Sequence, residues 1–481
     1  MGHKCLVAHA IGLPSLLNQQ STSYADVKRR KCEGRNASCE AKPGGLGFEG
    51  SPVSDGKKGC EMKIAVLGAG VIGVTTAYEL AKDGHEVVVI DRLSDAASET
   101  SFANAGLVAP GHAYTWASPK APRILLRSLM DESAALRFKP SLDPQLWWWT
   151  WLFLKNCTAE AARTNTKRKV HLCMYSQKQL DRLIADTGIK HHRVEGGLMY
   201  LYRSQESFER GAKNCTILSE EGLDIRPVSA AEAAALDPAL DPVKHKFKGA
   251  LYCPTDESGD ARLFTRELAK HCAEKYGVQF RYNTEIIGFE TSGGKVTSVR
   301  LSDGILAADT FVMCLGVFSP QLSKQLGTRL PVYPIKGYSV TLPIEGANNV
   351  PRFGGVDEDN LTAYARFGDR FRVTATAEFA GFDKSHRPSD YAHMLKSIKE
   401  LFPDAANYDK PDYWAGLRPM TPEGTPIFGR GKFDNLYFNT GHGHIGWTMS
   451  CGSGRITADL IAGRKPAIDL TGMDISLSSV R

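Results

Sequence analysis

The chain has 481 residues, 42% of them apolar and 23% charged, which is the composition of a globular protein with roughly two or three domain-sized units. Its formal net charge of +6 is too small to indicate a nucleic-acid partner. No apolar run reaches the roughly 18 residues that a membrane-spanning helix needs. Eleven cysteines are scattered without a CxxC pair or a metal-like cluster, so we predict no metal site and reduced thiols in a cytosolic-type compartment.

Residues 1–61 mix basic, polar and glycine-rich segments with little periodicity. The apolar stretch from Leu6 to Leu17 is too broken for a secretory signal, and intruding acidic residues make an impure transit peptide. Met62 stands directly before the first predicted strand. We therefore predict a disordered extension, or an upstream start that the functional protein does not need.

The segment KIAVLGAGVIGVTTAYELAKDGHEVVVID, residues 63–91, has the order of a dinucleotide-binding unit: strand, GxGxxG turn, helix, strand and acid. Gly68 permits the tight turn, Gly70 lets the backbone approach a pyrophosphate, and Gly73 lets the helix pack on the strand. The helix N-terminus offers free N–H groups to phosphates. Asp91 ends the second strand, where a carboxylate binds ribose hydroxyls. FAD and NAD(P) both remain open at this point.

A second glycine-rich turn follows a strand near the C-terminus, in Thr440-Gly441-His442-Gly443-His444-Ile445-Gly446-Trp447-Thr448. Too little chain follows it to complete another nucleotide-binding half. It is better interpreted as a strand-to-helix turn that directs a helix N-terminus at an electron-rich group.

Between these turns we predict helices and strands in an order that divides the chain into interleaved segments. A nucleotide domain is predicted from residues 62–115, 250–325 and 412–465, and an α+β substrate domain with a mainly antiparallel sheet from 116–249 and 326–411. Residues 466–481 are predicted to be a tail. The fold class is thus α/β, with a Rossmann-like domain assembled from separated segments.

The most aromatic stretch runs from Leu142 to Cys157 and carries Trp147, Trp148, Trp149 and Trp151. We predict a helix that packs several tryptophans into a core. The alternative is contact with a membrane surface or a hydrophobic electron acceptor.

Five segments taken together resemble the FAD-dependent D-amino acid dehydrogenases, small subunit type, of the D-amino acid oxidase superfamily. The resemblance covers Met62 to about Arg464 and is carried by GAGVIG, ETSFANAGLVAPG, PVYPIKGYS, WAGLRPMTPEGTPIFG and NTGHGHIGWTMSCGSGRITADLIAG. It implies FAD rather than NAD.

The resemblance also implies which residues hold the cofactor. The first turn and its helix would bind the pyrophosphate, Asp91 the ribose, and the C-terminal turn the pyrimidine edge of the flavin. The implied set is Gly68, Gly70, Val71, Ile72, Gly73, Asp91, Arg92, Ser101, Asn104, Ala105, Gly106, Leu107, Ile286, Gly316, Gly441, Ile445, Gly446, Trp447 and Thr448.

Four residues are implied at the substrate. Arg418 matches the family arginine that grips the substrate carboxylate through two parallel charge-assisted hydrogen bonds. Tyr364 and Tyr338 are candidates to close the site, with packing inside a sheet as the alternative. His444 stands where the family usually has a small residue such as Thr, which implies a flavin contact or a narrower substrate pocket.

The resemblance implies oxidation of a D-amino acid by hydride transfer from Cα to flavin N5, followed by hydrolysis to a 2-oxo acid and ammonia. A quinone or another acceptor would take the electrons. The expected location is the cytoplasm, with peripheral contact at the inner face of the cell membrane. Two alternatives are oxidation of a secondary amino acid such as proline, hydroxyproline, sarcosine or glycine, and a flavin-binding interaction protein without turnover.

Overall fold

The computed structural model describes residues 61–128, 136–346 and 349–475. The predicted extension therefore lies, except for Glu61, outside the described residues. The seven cysteines of the described residues form no disulfide with one another.

The described strands, numbered in chain order, are β1 (Lys63–Leu67), β2 (Glu86–Ile90), β3 (Leu107–Val108), β4 (Leu136–Phe138), β5 (Leu198–Tyr202), β6 (Arg226–Ser229), β7 (Gly249–Cys253), β8 (Glu257–Ser258), β9 (Gln279–Arg281), β10 (Ile286–Ser292), β11 (Lys295–Leu301), β12 (Gly304–Ala307), β13 (Thr310–Met313), β14 (Tyr333–Pro343), β15 (Gly354–Asp357), β16 (Thr362–Phe367), β17 (Arg370–Phe379), β18 (Asp412–Met420), β19 (Ile427–Arg430) and β20 (Leu436–Thr440). The described helices are α1 (Val71–Lys82), α2 (Ala121–Ser128), α3 (Pro144–Lys155), α4 (Ala159–Thr187), α5 (Gln205–Glu220), α6 (Ala230–Leu236), α7 (Ala261–Tyr276), α8 (Ser319–Gln325), α9 (Ala392–Leu401) and α10 (Gly446–Ile461).

A six-stranded sheet in the order β19-β20-β13-β1-β2-β9 forms the first layer. Its pairs are parallel except β19 with β20. Helices α1, α7 and α10 cover one face, and the three-stranded sheet β10-β11-β12 covers the other. Burial on both faces requires strands that are apolar throughout, as β1 and β13 are. The predicted Rossmann-like domain built from separated segments is confirmed.

A second, larger sheet has the order β18-β14-β17-β16-β15-β5-β7-β6, with β4 beside β17. It is mainly antiparallel, because only β5–β15 and β4–β17 pair in parallel. The predicted boundaries at 250 and 412 need correction here. The predicted boundaries place β7 and β18 in the nucleotide domain, but both strands pair with strands of this second sheet.

Helix α4 also departs from the predicted boundaries. It lies in the segment 116–249 assigned to the substrate domain, yet Leu180 and Leu183 pack into the core beside α1 and α7. Helix α4 also packs closely against α10. The glycine at position 452 of α10 allows this contact, because a Cβ there would lie 2.8 Å from the backbone of Ser176 in α4. Sequence periodicity identifies such a helix but not the sheet on which it packs.

Helix α3 carries the tryptophan cluster. Trp149 is buried, stacks on Phe153 with ring centroids 5.1 Å apart, and donates from Nε1 to the carbonyl oxygen of Met420 at 2.8 Å. Trp147 and Trp151 are 50% and 54% exposed. The prediction of a helix that buries several tryptophans is therefore wrong for these two residues.

Residues 466–475 are part of the folded structure, which corrects the prediction of a tail for this segment. Leu470 and Met473 are buried. The N–H of Phe428 donates to Met473 and the N–H of Ile475 donates to Phe428, both at 2.8 Å, so the segment lines the edge of β19. Residues 476–481 lie outside the described residues.

Every helix within 61–128, 136–346 and 349–475 is too short or too polar to cross a bilayer.

Candidate active site and dinucleotide cleft

A cavity of about 940 Å³ is lined by residues of both large sheets. This is the size of a pocket for a cofactor together with a small substrate. Twenty of the predicted site residues line it, namely Gly68, Gly70, Val71, Ile72, Asp91, Arg92, Ser101, Asn104, Ala105, Gly106, Leu107, Ile286, Gly316, Tyr338, Arg418, Gly441, His444, Ile445, Gly446 and Trp447. Gly73, Tyr364 and Thr448 do not line it.

The first glycine turn is shaped by close approaches of the backbone. Gly68 has φ +107°, and a Cβ there would lie 2.7 Å from the carbonyl oxygen of Cys314 in the neighbouring β13 segment. A Cβ on Gly73 would lie 1.8 Å from the carbonyl oxygen of Gly68. Glycine is therefore required at both positions, and Gly73 serves helix packing rather than direct contact with the cavity.

Asp91 stands at the carboxyl end of β2, on the cavity wall. Its carboxylate accepts from the N–H groups of Ala69 at 2.7 Å and Leu93 at 2.9 Å. Burial raises the pKa of Asp91, and these two hydrogen bonds act against that rise. The neighbouring Arg92 is held by Glu99 at 2.7 Å and over the ring of Phe318.

Thr448 holds the segment along the other end of the cavity. Its hydroxyl accepts from the N–H of Ala109 at 3.0 Å and donates to the carbonyl oxygen of Leu107 at 3.2 Å. Nearby, Gly106 has φ +72° and its N–H donates to the Asn104 side chain at 2.9 Å. Thr448 thus fixes cavity residues without lining the cavity itself.

Two buried ring nitrogens of the C-terminal turn have no partner within the described part of the chain. They are Nε1 of Trp447 and Nε2 of His444. Both residues line the cavity. A buried polar nitrogen without a partner is costly, so both nitrogens are candidates to bond a polar group of a bound molecule.

Arg418 lies on β18 and its guanidinium is on the cavity wall. Nη1 donates to the carbonyl oxygen of Thr376 at 2.8 Å, and no described carboxylate forms an ion pair with it. Burial lowers the pKa of Arg418 to about 10, which leaves it charged at neutral pH. A half-buried guanidinium that borders a cavity and has no ion-pair partner among the described residues is a site for an anionic ligand.

The backbone under Arg418 is strained. Thr376 has φ +64°, a conformation that is rare for a β-branched residue. It lies in a bulge of β17, where the register with β14 shifts between Lys336 and Tyr338. The bulge directs the carbonyl oxygen of Thr376 to the guanidinium.

Both candidate tyrosines pack into the core of the second sheet. Tyr338 contributes to the cavity wall, but its ring lies edge-on against Tyr391 with centroids 5.4 Å apart, and its hydroxyl donates to Glu378 at 2.5 Å. Tyr364 points away from the cavity, because it alternates with the cavity residue Ala363 along β16 and packs in the core against Phe402. The structure does not bring Tyr364 to the site.

The described part of the chain holds no cluster of metal-ligating side chains.

Residues 63–460 match the family described as DAO, FAD dependent oxidoreductase. The chain belongs to this family. D-amino acid dehydrogenase 2 of Mesorhizobium japonicum is 45% identical over 412 residues, covering 86% of this chain and 99% of that protein. D-amino acid dehydrogenase of Chromohalobacter salexigens is 44% identical with the same coverage. Glycine oxidase from Geobacillus kaustophilus has the same fold, with a TM-score of 0.66 at 22% identity over 87% of this chain and 99% of its own.

FAD is the cofactor of this family. The residues that line the cavity fit FAD. One wall has a glycine turn whose backbone can come close to phosphates, and another has a turn with two ring nitrogens that have no partner among the described residues. The two turns are separated by more than 350 residues in the chain, yet they line the same cavity.

His112 is a cavity residue that sequence reasoning missed. It ends a short 3₁₀ turn, Pro110–His112, and its Nε2 lies 3.0 Å from Oε1 of Glu358. The partners are far apart in the chain, so no local motif signals the pair.

Proposed function

We propose that the protein oxidatively deaminates D-amino acids, giving the 2-oxo acid and ammonia, with FAD as the hydride acceptor. The observation that carries this proposal is the half-buried guanidinium of Arg418, which has no ion-pair partner among the described residues and borders the cavity. The names of the relatives support a D-amino acid as the substrate.

Arg418 is proposed to grip the substrate carboxylate. Thr376 holds one nitrogen of its guanidinium, and the planar fork offers parallel N–H groups to two carboxylate oxygens. Holding the carboxylate restricts the substrate to one orientation, which lowers the entropy cost of reaching the reactive geometry. His444 lines the same cavity, and the positive charge of Arg418 contributes to lowering the pKa of His444.

The cavity residues of the first glycine turn, with Asp91, are proposed to hold the phosphates and ribose of FAD, and the C-terminal turn its ring system. Helix α10 begins at Gly446, so its N-terminus would favour negative charge on that ring. The six-stranded sheet would then be the core of the FAD-binding domain, and the second sheet the substrate domain.

The proposal is tested by adding D-alanine to the FAD-loaded protein without oxygen and recording the flavin absorbance. Loss of the oxidised spectrum is the expected result. Reduction by sarcosine or proline, but not by D-alanine, would show that the substrate is a secondary amino acid. Reduction by neither kind of amino acid would favour a flavin-binding protein without turnover.

Arg418→Met removes the proposed clamp. Truncating one partner of a buried charge pair costs about 2–5 kcal/mol, so the concentration of D-alanine that gives half-maximal reduction should rise at least about 30-fold. Arg366→Met is the matched control, because Arg366 is an exposed arginine on the same sheet. An unchanged half-saturating concentration in Arg418→Met would contradict the assignment.

The electron acceptor and the membrane contact are proposed from an exposed apolar surface on α2 and α3. We call this surface the α2–α3 patch; its exposed apolar residues are Ile124, Leu126, Leu142, Trp147, Trp151 and Leu154. Cavity residues lie directly behind it, since Leu125 and Phe153 of the same helices line the cavity. The proposal is a peripheral contact with anionic lipid, through which a quinone reaches the apolar end of the cavity.

Charge supports this choice of partner. Exposed Lys120, Arg123 and Arg127 border the patch on α2, and Lys155 lies 4.2 Å from the ring centre of Trp151 on α3. Basic side chains beside exposed tryptophans are typical of surfaces that bind the headgroup region of membranes.

Cosedimentation with vesicles containing anionic lipid measures this contact. The double variant Trp147→Ser/Trp151→Ser should lose most of the binding, because the patch then lacks its largest apolar side chains, while D-alanine still bleaches the flavin. Ile305→Ser is the control, as Ile305 is 61% exposed on β12. Equal sedimentation of the double variant and the parent protein would contradict a membrane role for the patch.

A further inference from the structure

The cavity wall carries a histidine–carboxylate pair that the proposed function has not used. His112 lines the cavity, as do Arg418 and His444. Nε2 of His112 lies 3.0 Å from Oε1 of Glu358, and Nδ1 forms no hydrogen bond within the described part of the chain. The imidazole therefore has one nitrogen engaged by a carboxylate and the other available to a ligand.

The His112 ring is held in place from several sides. It stacks on Tyr200 with centroids 5.5 Å apart and planes at 17°. Buried Asp256 accepts from the Tyr200 hydroxyl and, at 3.1 Å, from the N–H of Gly111. The same carboxylate thus fixes the ring beneath His112 and the backbone that carries it.

The charges around His112 come from several elements. Glu358 follows β15, Lys169 lies on α4, Asp256 precedes β8, and His444 lies in the C-terminal turn with its ring centre 6.3 Å away. Tyr114 also packs edge-on against His112. Burial disfavours the charged imidazole, but the Glu358 carboxylate outweighs this and raises the pKa of His112 above its ordinary value.

We propose that His112 accepts the proton that the substrate ammonium must lose, and that Glu358 passes it on toward solvent. This inference rests on the proposed function. The N–H bond of the ammonium breaks and an N–H bond forms at Nδ1 of His112, so the amine gains the lone pair that assists departure of hydride from Cα. Glu358 stabilises the resulting imidazolium, and its side chain is 19% exposed.

Other titratable groups on the cavity wall are less suited to this role. Asp91 already accepts two backbone N–H groups, and Glu99 is paired with Arg92. Burial first, and then the charges of its neighbours, hold the pKa of His444 well below its ordinary value, which makes it a weak proton acceptor. His442 is engaged with Ser453 at 2.9 Å.

The test is the pH dependence of flavin reduction by D-alanine, measured without oxygen in rapid mixing for the parent protein and His112→Gln. His112 works only when neutral, so the parent rate should rise with pH through a midpoint above that of free histidine. At neutral pH His112→Gln should be slower by about 10²-fold or more. The deficit should shrink as rising pH deprotonates the substrate amine in solution.

Two further variants separate a proton role from a structural one. Glu358→Gln should move the rise in rate to lower pH, because the imidazolium loses its carboxylate. His171→Gln, which breaks a solvent-exposed histidine–glutamate pair with Glu221, should match the parent protein. FAD content and the half-saturating D-alanine concentration of His112→Gln should stay at the parent values.

The outcomes are distinguishable. Absence of reduction in the parent protein would overturn the proposed function and this inference with it. Normal reduction of the parent, with a His112→Gln profile that is unchanged or lower by the same factor at every pH, would overturn the role of His112 alone.

Discussion

At the scale of single residues, two glycines near α1 are required for different reasons. Gly73 lies inside the helix, where a Cβ would meet the carbonyl oxygen of Gly68. Gly84 ends the turn after the helix at φ +93°, with open space around it. The first is a matter of contact and the second of backbone conformation.

We expect Gly73→Ala to force α1 away from the glycine turn, so that the purified protein loses most of its FAD and its melting temperature falls. Gly84→Ala should cost only about 1–2 kcal/mol of stability, the penalty of a left-handed alanine, and keep its FAD. Flavin absorbance per protein and thermal unfolding measure both effects. Similar FAD retention in the two variants would show that the Gly73 contact is easily relieved.

At the scale of elements, the loop before β8 holds the turn Pro110–His112 in place. The carboxylate of Asp256 in that loop accepts a hydrogen bond from the backbone N–H of Gly111 in the turn. Asp256 is fully buried, and desolvation raises its pKa from 3.8 to about 6. A carboxyl group with a raised pKa in the folded state stabilises the protein below its unfolded pKa. That contribution is lost as pH rises through the folded pKa.

Asp256→Asn should remove this pH dependence. Relative to the parent protein, the free energy of unfolding of the variant should improve as pH rises from about 4 to 7, by at most about 3 kcal/mol. Urea titrations at several pH values measure the difference. A gap between the two proteins that stays constant over this range would contradict a buried, titrating Asp256.

At the scale of the whole molecule, the sequence predicts the local units well and their assembly less well. The turn after β1 and the segment before α10 are recognisable because glycines, strands and helices follow each other within thirty residues or so. The assignment of β7 and β18 to the wrong sheet has a different origin. Strands that pair, such as β14 and β18, are distant in the chain. The alternation of apolar and polar residues along a strand shows which face is buried, but it does not predict which strand lies beside it.

The candidate site shows the same division. The residues that flank Arg418 are enough to predict a place for it at the site, and it does line the cavity. The face of β16 on which Tyr364 lies, by contrast, depends on sheet packing. The pair of His112 and Glu358 joins two loops that are 246 positions apart, and neither loop carries a local pattern. Contacts of this kind arise only from the folded arrangement.

The strand order of the six-stranded sheet has a consequence for biosynthesis. β1 is among the first described elements to leave the ribosome, but its neighbour β13 pairs in turn with β20, which ends at Thr440. The sheet cannot be completed until β20 has been synthesised, so the edge of β13 that pairs with β20 stays open during translation up to that point. Slow translation or C-terminal truncation would prolong that exposure, and we expect aggregation of nascent chains rather than loss of catalysis to be its first effect.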